Sequence, residues 1–187
     1  MLTDAKGRPY QAESCWRSNG GNHVLGLLKP DPALPVVDPK KGDAITAKIP
    51  VKGHVYDLRA KKYLGYTDSF KLLLSPARAE FFSVMKEKVA KVDLQSPAKV
   101  ARGGILKFSA KAVTASGKAP GPVVFHWELK SPAGKVCDRA AGNLLSSPDG
   151  KVELAFQTAF NDEKGPWLLT VSCVNACVST SAKVVLE

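Results

Sequence analysis

Hydrolysis of a glycosidic bond needs two carboxylates held about 5 to 10 Å apart in a cleft, and Asp57, Asp68 and Glu80 fall on neighbouring elements of this sequence. Asp57 and Asp68, however, sit in or beside predicted turns, where an aspartate hydrogen-bonds the local backbone. That bland role is the expectation for both. The histidines His23, His54 and His126 are scattered over strand-like segments with no nucleophile-elbow motif near them, so no Ser-His-Asp arrangement is predicted. Arg102-Gly103-Gly104 precedes a strand rather than a helix, which is not how a phosphate loop is built. Asp149-Gly150 and Asn161-Asp162-Glu163 carry the oxygen ligands that calcium takes, and turn chemistry explains both equally well. No catalytic residue, cofactor site or metal site is expected.

Binding chemistry has better material. Trp16, Tyr63, Tyr66 and Trp167 would stack on pyranose rings if exposed and coplanar. Against that, Trp16 alternates with Cys15 and Arg17, and Tyr63 and Tyr66 bracket a Leu-Gly turn, so core or inter-domain packing is the ordinary reading. The four cysteines are Cys15, Cys137, Cys173 and Cys177. Cys173 and Cys177 flank a short loop, where a disulfide can pinch a hairpin, and two reduced thiols fit the same spacing. A zinc site would need a second matching pair, which the sequence lacks.

The net charge is +10, which raises nucleic-acid binding as a question. Residues 1–90 hold 15 Lys and Arg against 9 Asp and Glu, and residues 91–187 hold 12 against 8, so the surplus is spread rather than gathered into a footprint. The densest spots, Lys40-Lys41 and residues 59–62, adjoin predicted turns. Neither nucleic acid nor membrane insertion is expected, since no apolar run approaches the roughly 20 residues that span a bilayer. The opening residues lack the plan of a signal peptide, and the polar stretch there suggests that Met1 is not the natural start.

These side chains must be positioned by strands, because period-two alternation dominates and helical periodicity is nearly absent. Strands are predicted over 11–17 and 23–28, joined by the turn Ser18-Asn19-Gly20-Gly21-Asn22, whose glycines supply the positive φ that tight hairpins demand. A connector with Pro30, Pro32, Pro35 and Pro39 follows, then strands over 44–49, 54–58, 62–66, 70–74 and 79–85. Residues 76–88 also space Ala79, Phe82 and Met85 at i, i+3 and i+6; strand is the expectation over helix. The polar Lys86-Glu87-Lys88 places a boundary between a domain of residues 1–88 and one of residues 89–187. The second is read as strands over 92–95, 105–114, 123–129, 136–137, 151–156, 167–173 and 178–186, with turns at 115–118, 131–134, 147–150 and 161–165. Seven short strands in so few residues is the pattern of an immunoglobulin-like sandwich, with Trp127 facing its core between His126 and Glu128. The fold class is therefore all-β, two sandwiches in tandem.

Two stretches carry a resemblance to a known family. Gly53-His54-Val55-Tyr56-Asp57-Leu58-Arg59-Ala60-Lys61-Lys62-Tyr63-Leu64-Gly65, followed by the apolar run from Phe70 and by Pro76-Ala77-Arg78-Ala79, resembles the ending of C-terminal β-sandwich domains in bacterial glycoside hydrolases. Asn161-Asp162-Glu163-Lys164-Gly165-Pro166-Trp167-Leu168-Leu169-Thr170-Val171 is similar to a segment of immunoglobulin-like domains that follow such sandwiches in uncharacterised glycosidase-like proteins, some related to the β-galactosidase superfamily. Residues 17–28 look like that family's hairpin. The resemblance implies a non-catalytic accessory or structural module whose partner is an upstream catalytic domain of the same polypeptide, in a secreted, periplasmic or envelope-associated protein. The family's catalytic carboxylates would lie in that upstream barrel, so none is carried over. The alternative is a carbohydrate-binding module that meets polysaccharide through exposed aromatics.

Overall fold

The computed structural model describes residues 1–30 and 41–187. The predicted connector's Pro32, Pro35 and Pro39, and Lys40, lie outside the described residues. The rest is all-β, and the chain divides into two compact units, Met1–Lys86 and Glu87–Glu187.

The first unit holds β1 (Leu2–Asp4), β2 (Glu13–Asn19), β3 (Asn22–Leu28), β4 (Asp43–Asp57), β5 (Lys62–Leu74) and β6 (Glu80–Met85). They form one sheet in the order β1-β4-β6-β3-β2, with β5 also paired to β4. The β2–β3 hairpin closes at the Asn19–Asn22 pair, with Gly20 and Gly21 at φ 57° and 85°, the left-handed geometry that a two-residue turn requires. Residues 80–85 form strand rather than helix: Glu80–Met85 pairs with β3 on one side and β4 on the other.

Two strands expected over 44–49 and 54–58 are instead one, β4, and the two expected over 62–66 and 70–74 are one, β5. The physical reason lies in their shared ladder. Between the Lys48–Ser69 and Gly53–Thr67 pairs, Ile49, Pro50, Val51 and Lys52 face only Asp68. Extra residues on one strand make a bulge, which bends it and sharpens its twist. Pro50, with no N–H to give the ladder, falls within that unpaired stretch. The bend lets one sheet enclose its own core: Leu25 and Leu27 from β3, Ile45 and Ala47 from the first half of β4, Val55 from the second, and Phe70 and Phe82 from β5 and β6.

The second unit holds β7 (Val89–Gln95), β8 (Lys99–Val100), β9 (Ile105–Thr114), β10 (Val124–Lys130), β11 (Val136–Leu145), β12 (Lys151–Gln157), β13 (Gly165–Cys173) and β14 (Val178–Leu186). They make a five-stranded sheet, β11-β10-β13-β14-β8, and a three-stranded sheet, β12-β9-β7. Inward residues alternate along each strand, as Leu106, Phe108, Ala110 and Ala112 do on β9 and Trp167, Leu169, Val171 and Cys173 on β13. Trp127 of β10 lies 5.6 Å from the Phe108 ring and 5.5 Å from the Phe156 ring of the facing sheet, so one indole joins the two layers. Burying an aromatic of this size contributes about 3 kcal/mol. The strand expected only at 136–137 runs ten residues: Ala140, Ala141 and Gly142 carry no strand preference, and β11 gains its order from ladder bonds to β10.

Candidate functional site

The end of β4 and the start of β6 bring two of the three candidate carboxylates together. Asp57 closes β4 and caps the turn after it, its Oδ1 accepting the amides of Arg59 (3.0 Å) and Ala60 (2.8 Å). Glu80 opens β6 and is 9% exposed. Arg78 places Nε 3.2 Å from Glu80 Oε1, and Arg59 places Nε 3.8 Å from Oε2 while donating to the Ala79 carbonyl at 2.6 Å. Burial pushes the Glu80 carboxyl above its ordinary value; Arg78 and Arg59 pull it back and Asp57 pushes it further up. Around these groups opens a cleft of about 250 Å³ floored by Leu64, Leu72 and Phe82, with Lys71 at its edge. Asp68 is not part of it, standing instead opposite the β4 bulge.

The carboxylates are therefore accompanied by two arginines that sequence reasoning passed over. Their signal was present: Arg78 and Glu80 sit two apart, on one face of an extended segment, and Arg59 follows the turn aspartate. What the arrangement can do is hold charge. A general acid needs a proton to deliver toward a substrate, whereas both Glu80 oxygens face guanidinium groups and Asp57 Oδ1 faces its own backbone.

A second cluster covers the outer face of β4 and β5. Leu64-Gly65 is not a turn but a bulge inside β5, between the Val55–Gly65 and Tyr56–Tyr63 pairs. The extra residue turns Tyr63 and Tyr66 to the same face, opposite Tyr56 and His54. Tyr66 is 55% exposed and Tyr63 36%. The His54 and Tyr66 rings are 4.9 Å apart and tilted 50°, those of His54 and Tyr63 are tilted 32°, and Tyr63 shares a 2.8 Å hydrogen bond with His54 Nδ1. Lys52 Nζ stands 5.3 Å from the centre of Tyr66. A pyranose face needs a flat partner, and these rings form a corrugated strip.

The other two aromatic candidates lie elsewhere. Trp16 is half-buried against the first unit's core and stacked on His23 at 4.9 Å, and His23 Nδ1 lies 2.7 Å from Ser18 Oγ. Trp167 is core, 6% exposed, and donates Nε1–H to the Glu163 carbonyl at 2.8 Å.

Polar loops of the second unit stabilise themselves. Asp162 pairs with Arg139 through both oxygens and accepts the Ala159 amide at 2.7 Å. Burial raises the Asp162 pKa, but these bonds outweigh it and hold the carboxyl below its ordinary value. Asp149 accepts the Ser147 hydroxyl. Among the described residues no group of three or more His, Cys, Asp or Glu is placed to hold a metal ion, and no helix is long and apolar enough to cross a membrane. Cys15 is exposed, whereas Cys173 is a buried thiol whose pKa is pushed up to about 11 by desolvation. Cys177 takes a left-handed φ of 55° after the single helical turn Val174–Ala176.

The chain matches no protein-family model and no curated protein sequence. Among solved structures it is similar to the E. coli alpha-2-macroglobulin at 10% identity and a TM-score of 0.45, over 96% of this chain and 17% of that one. It is similar to the superoxide reductase (neelaredoxin) of Ignicoccus hospitalis at 11% identity and TM-score 0.39, over 53% and 82%. It is similar also to a Bacteroides uniformis β-glucuronidase at 8% identity and TM-score 0.31, over 88% and 26%. At these identities the likeness concerns backbone arrangement and assigns no residue a role.

Proposed function

We propose that this chain is a non-catalytic accessory module of a larger glycosidase-like protein, bracing a catalytic domain of the same polypeptide or mediating its assembly. The supporting observation is where its acids are spent: Asp57 caps a turn, Glu80 lies between two guanidinium groups, and Asp162 ties a loop to Arg139. In this reading the first unit is the C-terminal β-sandwich of the glycoside hydrolase relatives that its Tyr56-Asp57 to Gly65 segment resembles. The second is immunoglobulin-like, a reading supported by the strand order of its two sheets and by Trp127 buried between them. The parent would work outside the cytoplasm, in the periplasm, at the envelope or in the medium. Expressing the parent with and without residues 1–187 tests this: removal should lower its melting temperature or break its assembly while a surviving fold keeps its kcat. A parent equally stable and equally assembled without them would refute it.

A carbohydrate-binding role is the second reading, favoured by the exposure of Tyr66 beside Lys52 and His54. A glycan array and an affinity gel with polysaccharide separate it from the first, since a purely bracing module is not retarded.

A further inference from the structure

We propose that the cleft between the end of β4 and the start of β6 is a receptor for a small organic carboxylate, held by the outer ends of Arg59 and Arg78. Each guanidinium turns its inner nitrogen to an oxygen, Arg59 in a hydrogen bond and Arg78 in an ion pair. Arg59 Nε donates to the Ala79 carbonyl at 2.6 Å and Arg78 Nε lies 3.2 Å from Glu80 Oε1, so both side chains are drawn to one carboxylate. Among the described residues no hydrogen bond engages the terminal nitrogens of either, and the two side chains are 42% and 30% exposed, so those ends reach solvent. A guanidinium held at Nε still presents its paired outer N–H groups, the fork that fits a carboxylate.

The backbone beneath them is also anchored. Asp57 caps the turn that carries Arg59. Arg78 follows Ala77, whose amide donates to the Lys29 carbonyl at 2.8 Å. Such pre-organisation removes the ordering cost that makes exposed ion pairs weak.

Charge and shape select the ligand. Both Glu80 oxygens face the arginines and Asp57 Oδ1 accepts its turn's amides, so the cleft sets the three cations Arg59, Arg78 and Lys71 against the two carboxylates Asp57 and Glu80 and keeps a surplus positive charge for a newcomer. The floor of Leu64, Leu72 and Phe82 suits an apolar or ring-bearing stem. About 250 Å³ equals some eight waters, room for one small ring. A uronic sugar and a simple aromatic acid share this chemistry.

Titration calorimetry of the full chain with sodium glucuronate, sodium benzoate and, as the neutral comparator, glucose tests the proposal at constant ionic strength. Saturable binding of at least one carboxylate is expected, with none for glucose. Arg78→Gln should weaken that binding about tenfold. Should Arg78→Gln fail to fold, Lys71→Gln replaces it: Lys71 is exposed, its ammonium has no hydrogen-bond or ion-pair partner among the described residues, and its loss should weaken binding several-fold with no change in melting temperature. Heat that never saturates for either carboxylate, equal binding of glucose, or undiminished binding by the folded variant overturns the site. Glucuronate without benzoate identifies a sugar acid as the ligand, and benzoate without glucuronate an aromatic one. The bracing role would stand even if nothing bound, because it depends on the parent's stability and not on this cleft.

Discussion

The rings of Phe70 and Phe82 are 4.6 Å apart, although Phe70 pairs with Ala47 and Phe82 with Asp57, ten residues further along the same strand. Ten extended residues reach roughly 33 Å. Contact between the two rings therefore requires β4 to bend back, and its unpaired residues Ile49 to Lys52 are where it does so. The first unit's core exists because of that bend.

Gly53, just past the bulge, should tolerate no side chain. A Cβ there would stand 2.8 Å from Val84 Cγ1 and 3.0 Å from the Met85 carbonyl, both in strand β6. Gly53→Val should cost about 1 to 3 kcal/mol, read as a lower urea midpoint with an unchanged slope.

The alternation of apolar residues made the strand content and the inward face of Trp127 legible, because a side chain's face depends only on the parity of its position. The single bent β4 was not, since Pro50 and the unpaired residues beside it read as a strand end when the partner is unknown. Gly65 likewise looked like a turn, and only its ladder with Val55 reveals a bulge that aims Tyr63 and Tyr66 together. In the cleft, Asp57 and Glu80 were visible as acids. Their conversion from candidate catalysts into anchors for Arg59 and Arg78 depends on contacts between segments twenty residues apart, which spacing does not encode.

Acid should loosen the second unit through Asp162. Its folded pKa lies below the ordinary carboxylate value, so it contributes stability that is present above that value and is lost as pH falls through the folded one. Asp162→Asn should cost about 2 kcal/mol near neutrality, and the gap between variant and parent should narrow below about pH 4. Denaturant melts over a pH series check this; a gap that does not change with pH contradicts it.

The thiols should separate in reactivity. Cys15 is exposed and should react with an aromatic disulfide reagent at once, whereas Cys173, buried and with its pKa pushed up to about 11, should react only on unfolding. Unfolding without reductant should expose four thiols. A count of two would show Cys173 and Cys177 bridged instead.

Tyr66 should matter to ligands and not to stability. Its ring is mostly exposed, so Tyr66→Ala should shift the unfolding free energy by less than about 0.5 kcal/mol. If the corrugated strip binds glycans at all, the same variant should abolish retardation in a polysaccharide gel.

Turnover of a panel of chromogenic glycosides by the purified chain bears most directly on the proposed role. No hydrolysis above the buffer blank is expected at any pH where the chain stays folded, because Asp57 and Glu80 are committed to the turn and the arginines. Hydrolysis that disappears in both Asp57→Asn and Glu80→Gln would contradict it and make the cleft an active site.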